Sequence, residues 1–408
     1  MKSLKKLFRF GAGPSSSHTI APSLAAACFL TQLAETKHDS IEVTLYGALA
    51  CTGIGHGTAM AILQALRQEK ATVKEDGKTP VAHPLTMTFE AFLGKEAVLK
   101  RTYLSLGGGE ITSPDDPNAI ERDIYPFRDL NSVLSYMENE GLDDFKSFAL
   151  RFENPDIDEY LRQTLARMFQ AIENGLNAKG IVPANNNPKL VWPRVAGSIY
   201  QKAIKIEDPD AKREMLLTSY AYAVAESSAS GEQIVTAPTC GSSGVLPAIL
   251  YYEVKQNGKT LEQAKDALYA AGIFGNIVKQ NASIAGAIGG CQAEIGTASS
   301  MGAVALSYLE GLDLKRQAFA AECAMEHFLG LSCDPVDGYV IIPCIERNGM
   351  GALRSYDAYL YAQYVYPIRK NQVSFDDVVY AMKMTGDSLA SAYKETAEGG
   401  LAAILGKK

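Results

Sequence analysis

Over the first 130 residues the apolar and polar positions change rhythm several times. Ser23 to Leu33 is rich in alanine and leucine, with Pro22 placed in a first turn, and predicts a helix. Ile41-Glu42-Val43-Thr44-Leu45-Tyr46-Gly47 alternates and predicts a strand. Gly57 to Arg67 returns to a helical pattern, and Leu85 to Phe89 and Val98 to Leu106 predict further strands that end at Gly107-Gly108-Gly109. Charges gather at Pro114-Asp115-Asp116-Pro117 and again from Glu138 to Asp144, which places a linker near 130–150.

From about residue 155 the helical period dominates. Helices are predicted over Asp156 to Gly175, Ala211 to Ser228, Leu261 to Lys279, Met301 to Leu309, Lys315 to Phe328 and Phe375 to Lys394. Ser374 is placed to cap the last of these, and Gly399-Gly400 to stop it. Pro183 to Pro193 predicts a loop, since Ala184-Asn185-Asn186-Asn187-Pro188 cannot continue a helix. Breaks fall at Pro238-Thr239-Cys240-Gly241, at Gly286 to Gly290 and at Asp334-Pro335. The run from Ala282 to Ala298 is apolar and Gly/Ala-rich but holds Gln292 and Glu294, so it predicts a tightly packed core helix. The fold class is α+β: an N-terminal mixed α/β domain over 1–140, then a mostly helical domain over 150–408.

Composition narrows the function classes. With 408 residues, two or three domains are expected. A hydrophobic content of 47% beside 21% charged residues suits a globular enzyme. The net charge of −7 argues against nucleic acid or an anionic membrane as partner. No stretch approaches the roughly 20 uninterrupted apolar residues of a membrane span. The basic start Met1-Lys2-Ser3-Leu4-Lys5-Lys6 lacks the apolar run of a signal peptide, so a cytoplasmic protein is expected. Seven unevenly spaced cysteines in such a protein are more often free, metal-bound or catalytic than paired.

Three of them stand in turn-forming settings: Cys291 after Gly289-Gly290, Cys333 before Asp334-Pro335, and Cys344 after Pro343. Three converging thiolates suit a soft metal or an iron–sulfur cluster and leave one position open. They do not match the paired knuckles of structural zinc. Three unrelated buried thiols is the alternative. Ser15-Ser16-Ser17-His18-Thr19, ahead of the helix at Pro22, offers hydroxyls, an imidazole and backbone N–H groups. That makes a carboxylate pocket or a simple helix cap. His56, in Gly53-Ile54-Gly55-His56-Gly57-Thr58, is a second candidate imidazole.

Several long motifs carry a family resemblance. They are KQNASIAGAIGGCQAEIGTASSM at 279–301, EHFLGLSCDPVDGYVIIPCIERN at 326–348, TAPTCGSSGVLPA at 236–248 and YKETAEGGLA at 393–402. To these are added GAGPSSSHT at 11–19, YGALACTGIGHGT at 46–58, HP at 83–84 and GGG at 107–109. Together they resemble the bacterial iron–sulfur L-serine dehydratases, in a single-chain form with the β part fused ahead of the α part. The resemblance implies a [4Fe-4S] cluster on Cys291, Cys333 and Cys344 and no pyridoxal phosphate. It implies dehydration of L-serine, a small-molecule amino-acid substrate, to pyruvate and ammonia. It also implies His18, His56 and Lys279 as candidate catalytic residues, with an ion-paired lysine as the alternative for Lys279. Ser15, Ser16, Ser17, Thr19, Asn281, Ser283 and Arg347 become candidate substrate-binding residues, with helix capping as the alternative for Asn281 and Ser283 and a structural ion pair with Glu346 or a neighbour as the alternative for Arg347. His327 is expected to support the cluster from outside its ligands, and His38 to stand apart.

The chain departs from the family pattern in places. Cys240 stands where the family commonly has asparagine, and is either a fourth thiolate or a small polar substitute. The tail Leu405-Gly406-Lys407-Lys408 lacks the cysteine that some single-chain members carry, and Ala225 to Gly231 replaces a more Asn/Gly-rich stretch. Cys28 and Cys51 are expected to be buried or half-buried, and Cys323 to lie in the core. L-cysteine desulfidation, threonine as substrate, and a non-catalytic iron–sulfur sensor are the competing readings. A homodimer is expected, twofold assemblies being common.

Overall fold

The computed structural model describes residues 1–67, 69–116, 122–183 and 190–405. Pro117, the stretch Ala184-Asn185-Asn186-Asn187-Pro188 and the tail Gly406-Lys407-Lys408 lie outside the described residues.

Alternation builds the first layer. In Ser40–Tyr46 the side chains of Ile41, Val43 and Leu45 point inward and their neighbours outward. The strand is second in a five-stranded sheet of order Ala71–Asp76, Ser40–Tyr46, Thr86–Leu93, Glu96–Gly107, Glu110–Thr112. The first pair is parallel and the others antiparallel. The parallel pair is joined through Thr58–Leu66, which packs with Ala21–Leu33 on the sheet's apolar face.

The second layer is helical. Leu261–Asn281 and Thr297–Leu309 are buried over most of their length and form its centre. Val245–Gln256, Leu314–Glu326 and Cys344–Leu360 pack around them, with Ile157–Asn177 and Pro209–Ala229 outside. The fold is therefore α+β. Among the described residues, no helix is long and apolar enough to cross a membrane.

Several expectations are corrected. The supposed linker near 130–150 is two helices, Leu130–Asn139 and Phe145–Ala149, whose Leu130, Val133, Met137, Phe145 and Phe148 join the helical core. The N-terminal segment joins it too, through Met1, Leu4, Leu7 and Phe8. The sheet core is thus narrower than residues 1–140. The helix expected over Ala282 to Ala298 is broken into Gly286–Gly289 and Gln292–Gly296 by Gly290, at φ +77°. A Cβ there would meet the Leu331 carbonyl oxygen at 2.7 Å, so only glycine lets the two cysteine-bearing segments come this close. The last long helix ends at Ser388, not Lys394, and Gly400 starts Gly400–Leu405 where a stop was expected.

The two layers are fastened together. Phe10–Ala12 pairs antiparallel with Gln233–Val235. Glu110, on the sheet's edge strand, forms ion pairs with Lys2 at 2.7 Å and with the buried Lys279 at 2.5 Å. Glu110→Ala should cost about 3 kcal/mol in urea unfolding, because it strands a buried lysine charge. A loss under about 1 kcal/mol would place this pair with exposed surface bridges instead.

Candidate active site

Three segments far apart in sequence bring the cysteines together. Cys291 follows the Gly290 turn. Cys333 sits in an extended segment whose N–H donates to the Tyr393 carbonyl at 2.9 Å and whose carbonyl accepts from Glu395 N–H at 2.8 Å. Cys344 opens the helix Cys344–Leu360. Gln292, fully buried, binds the first two segments: its Nε2 donates to Gly289 O, and its Oε1 accepts from Gly330 N–H. Asn348 fixes the third, its Nδ2 donating to Cys344 O and Gly241 O and its Oδ1 accepting from Gly244 N–H.

The three cysteines line one narrow cavity with Glu294, Arg347, Gly241, Ser15, His56 and Glu395 among its walls. The Cys333 thiol hydrogen-bonds the Cys291 sulfur and, with Arg347 and against burial, holds the Cys291 thiol down to about 7. That hydrogen bond, with burial, pushes Cys333 well up, and burial does the same to Cys344. One thiolate therefore forms readily and the others give up protons to a cation. A Cβ on Gly286 would lie 2.9 Å from both Cys333 Sγ and Glu294 Oε2, so the backbone leaves that side clear. This donor set fits a cluster held by three thiolates.

Arg347 is tethered, its Nη1 donating to Ser332 O at 2.8 Å and its Nη2 reaching Asp334 Oδ1 at 3.3 Å. Burial pushes the Glu294 carboxyl well above its usual range, the neighbouring Cys291 adds to this, and Thr239 Oγ1 donates to it at 2.6 Å.

The opposite wall comes from the sheet layer. The Ser16–Ile20 turn leads straight into Ala21–Leu33, and Ser15, Ser16 and Ser17 are buried in it. The rings of His18 and His56 stack with centroids 4.1 Å apart. His18 is engaged on both nitrogens. Nε2 lies 3.2 Å from Ala48 O and 3.0 Å from Thr52 Oγ1, and Nδ1 lies 3.1 Å from Ser17 Oγ. Burial, then the His56 ring, push its pKa down to about 4. His56 uses Nδ1 on Thr52 O at 2.8 Å and leaves Nε2 facing the cavity, 3.4 Å from Glu395 Oε1. Burial opposes ionisation of Glu395, but the two imidazoles hold its carboxyl below the usual range.

Several expected residues lie elsewhere. Lys279 is on Glu110, away from the cavity. Asn281 donates to Arg128 O at 2.6 Å, at an exposed helix end. Ser283 Oγ accepts from Ala285 N–H in its own turn. Thr19 donates to Ser15 O and Ala12 O, which makes it a turn-holding residue. His18, with both nitrogens engaged, has no nitrogen free to take a substrate proton. His327 is exposed, its Nδ1 on Cys323 O at 2.7 Å. Cys240 is buried in the helical core and does not line the cavity, and Cys51 is exposed. Cys28 is half-buried and Cys323 is in the core, as expected, and His38 stands outside the cavity, paired with Glu69.

Glu294, Glu395 and Asn348 were not singled out from sequence, although all three stand inside motifs quoted for the resemblance. An isolated acid or amide in such a motif carries no spacing signal of its own.

The sequence model for the serine dehydratase alpha chain matches residues 58–402, and that for the serine dehydratase beta chain matches residues 3–77. L-serine dehydratase of Streptomyces coelicolor is 36% identical, with 97% of each chain covered. L-serine dehydratase of Helicobacter pylori (strain 26695) is 34% identical, with 99% of each covered. L-serine dehydratase 1 of Escherichia coli is 33% identical over 98% of this chain and 99% of the relative.

Proposed function

The chain belongs to the serine dehydratase family, its beta and alpha parts joined in one polypeptide, and from that premise we propose that it dehydrates L-serine to pyruvate and ammonia. The observation that carries this reading is the convergence, on one cavity, of three cysteines from the helical layer with Ser15 and His56 from the sheet layer.

Cys291, Cys333 and Cys344 would hold a [4Fe-4S] cluster. When bound, it supplies a Lewis acid that makes hydroxide a better leaving group. The other groups bind and move protons. Ser15, which lines the cavity, takes the substrate carboxylate at the start of its helical turn, while Ser16 and Ser17 are buried in the same turn outside the cavity lining, with the Ser17 hydroxyl on His18. Arg347 contributes positive charge on the cysteine side. His56 Nε2 takes the Cα proton, because Nδ1 keeps its own proton on Thr52 O and leaves Nε2 as the lone pair facing the cavity. Loss of the Cα proton and of hydroxide yields aminoacrylate and water. Aminoacrylate then tautomerises and is hydrolysed to pyruvate and ammonia.

The test uses protein reconstituted anaerobically with iron and sulfide. It is expected to develop a broad visible iron–sulfur absorption and to release pyruvate from L-serine. A reconstituted protein with no such band would contradict the cluster reading.

A further inference from the structure

We propose that Glu395 binds the α-ammonium group of the substrate, a role that rests on the lyase reading above. Acceptors outnumber donors around its carboxylate. His56 Nδ1 lies against Thr52 O, which can only accept, so Nδ1 carries the proton and Nε2 presents a lone pair. His18 Nε2 lies against Ala48 O, so its Nδ1 is likewise a lone pair, taken up by serine hydroxyls. Glu395 Oε1 stands 3.4 Å from His56 Nε2 and 3.8 Å from His18 Nδ1. With both imidazoles neutral, acceptors therefore face one another, and the carboxylate that a protonated imidazole would otherwise offset is left facing the cavity without a cation. His56 Nε2 and Glu395 Oε2 are both buried without a hydrogen-bond partner. The backbone N–H of Ala287 is a donor to this carboxylate.

Such a ring of buried acceptors lacks a cation that carries several N–H groups. The α-ammonium is that cation. It is bonded to the same carbon as the proton His56 would take, so placing it on Glu395 Oε2 brings the Cα–H towards Nε2. The backbone is built to aim the carboxylate: Glu395 is held at φ +60°, unusual for a residue with a side chain, by its N–H on Cys333 O. Glu294, the other carboxyl on the cavity, already accepts from Thr239 and has Cys291 and Cys333 as close neighbours.

The experiment compares two competitive inhibitors that differ only at the amine, L-alanine and propionate, on wild-type and Glu395→Gln holoproteins. Both proteins are checked first for visible cluster absorption. The wild type should prefer L-alanine by about 10- to 100-fold, the range of a charge-assisted hydrogen bond. Glu395→Gln should lose that preference while its inhibition constant for propionate stays unchanged, and its KM for L-serine should rise about as much. Should the glutamine variant fail to fold, Glu395→Asp, which keeps the charge on a shorter arm, should retain the preference with a weaker KM. A Glu395→Gln protein that keeps the wild-type preference overturns the proposal, and so does a wild type that binds both inhibitors equally. A wild type that prefers L-alanine but releases no pyruvate from L-serine defeats the lyase reading and leaves the ammonium site standing.

Discussion

Cys333→Ala is expected to abolish both pyruvate release and the visible iron–sulfur band. Cys333 lies between the other two parts of the cavity wall: its thiol hydrogen-bonds Cys291, and its backbone carries Glu395. Removing the sulfur leaves two thiolates, too few to hold a cluster against loss of iron. The backbone ladder to Tyr393 and Glu395 uses no side-chain atom, so the fold should survive. Cys240→Ala is the matched control. Its thiol is equally buried but lies in the helical core, outside the cavity. It should keep iron, colour and turnover while losing about 1 kcal/mol of stability. Colour retained in Cys333→Ala and lost in Cys240→Ala would reverse the assignment of ligands.

His56→Gln should lower kcat by about 10² to 10⁴-fold, the usual share of a positioned proton acceptor, and leave the cluster absorption intact. The histidine lies across the cavity from the thiols, on the sheet layer. Its loss therefore removes the lone pair at Nε2 without touching a sulfur. A deuterium isotope effect measured with Cα-deuterated L-serine should accompany the fall, because proton removal becomes slower than the other steps. A variant that loses colour together with activity would make His56 a support for the cluster rather than a base.

Much of the fold was legible because its periodicity is strong. Ser40–Tyr46 alternates cleanly, and Leu261–Asn281 carries a helical pattern with a capping box at Thr260 and Gln263. Ala71–Asp76 was missed because it is an edge strand with mostly exposed or half-exposed positions, and Ala-Thr-Val-Lys-Glu-Asp shows little apolar alternation. Leu130–Asn139 was lost behind its charged end, although Leu130, Val133 and Met137 form a helical stripe. An unbroken apolar run such as Ala282 to Ala298 has no period to read, and its break depends on Leu331, which only the tertiary structure brings close.

The candidate site followed the same logic. Cys291, Cys333, Cys344 and Ser15, which share the cavity, stand out in the sequence because their residue types and turn-forming neighbours are chemically distinctive. Lys279, Asn281 and Ser283 share the motif of Cys291, but motif membership does not say which side of a helix end a side chain takes, and for Lys279 the ion-paired alternative describes its position. A helix end turns them towards Glu110 and Arg128, or into a local turn. Glu395 became visible only through the bridge between Cys333 and Lys394, a pairing across 61 positions, which no local pattern announces.

The most direct test of the account is amino-acid turnover by anaerobically reconstituted protein, with L-serine and L-cysteine compared under the same conditions. The account predicts pyruvate and ammonia in equal amounts from L-serine, at a higher kcat/KM than for pyruvate and sulfide from L-cysteine. Sulfide release from L-cysteine by a fully loaded protein that produces no ammonia from L-serine would contradict it.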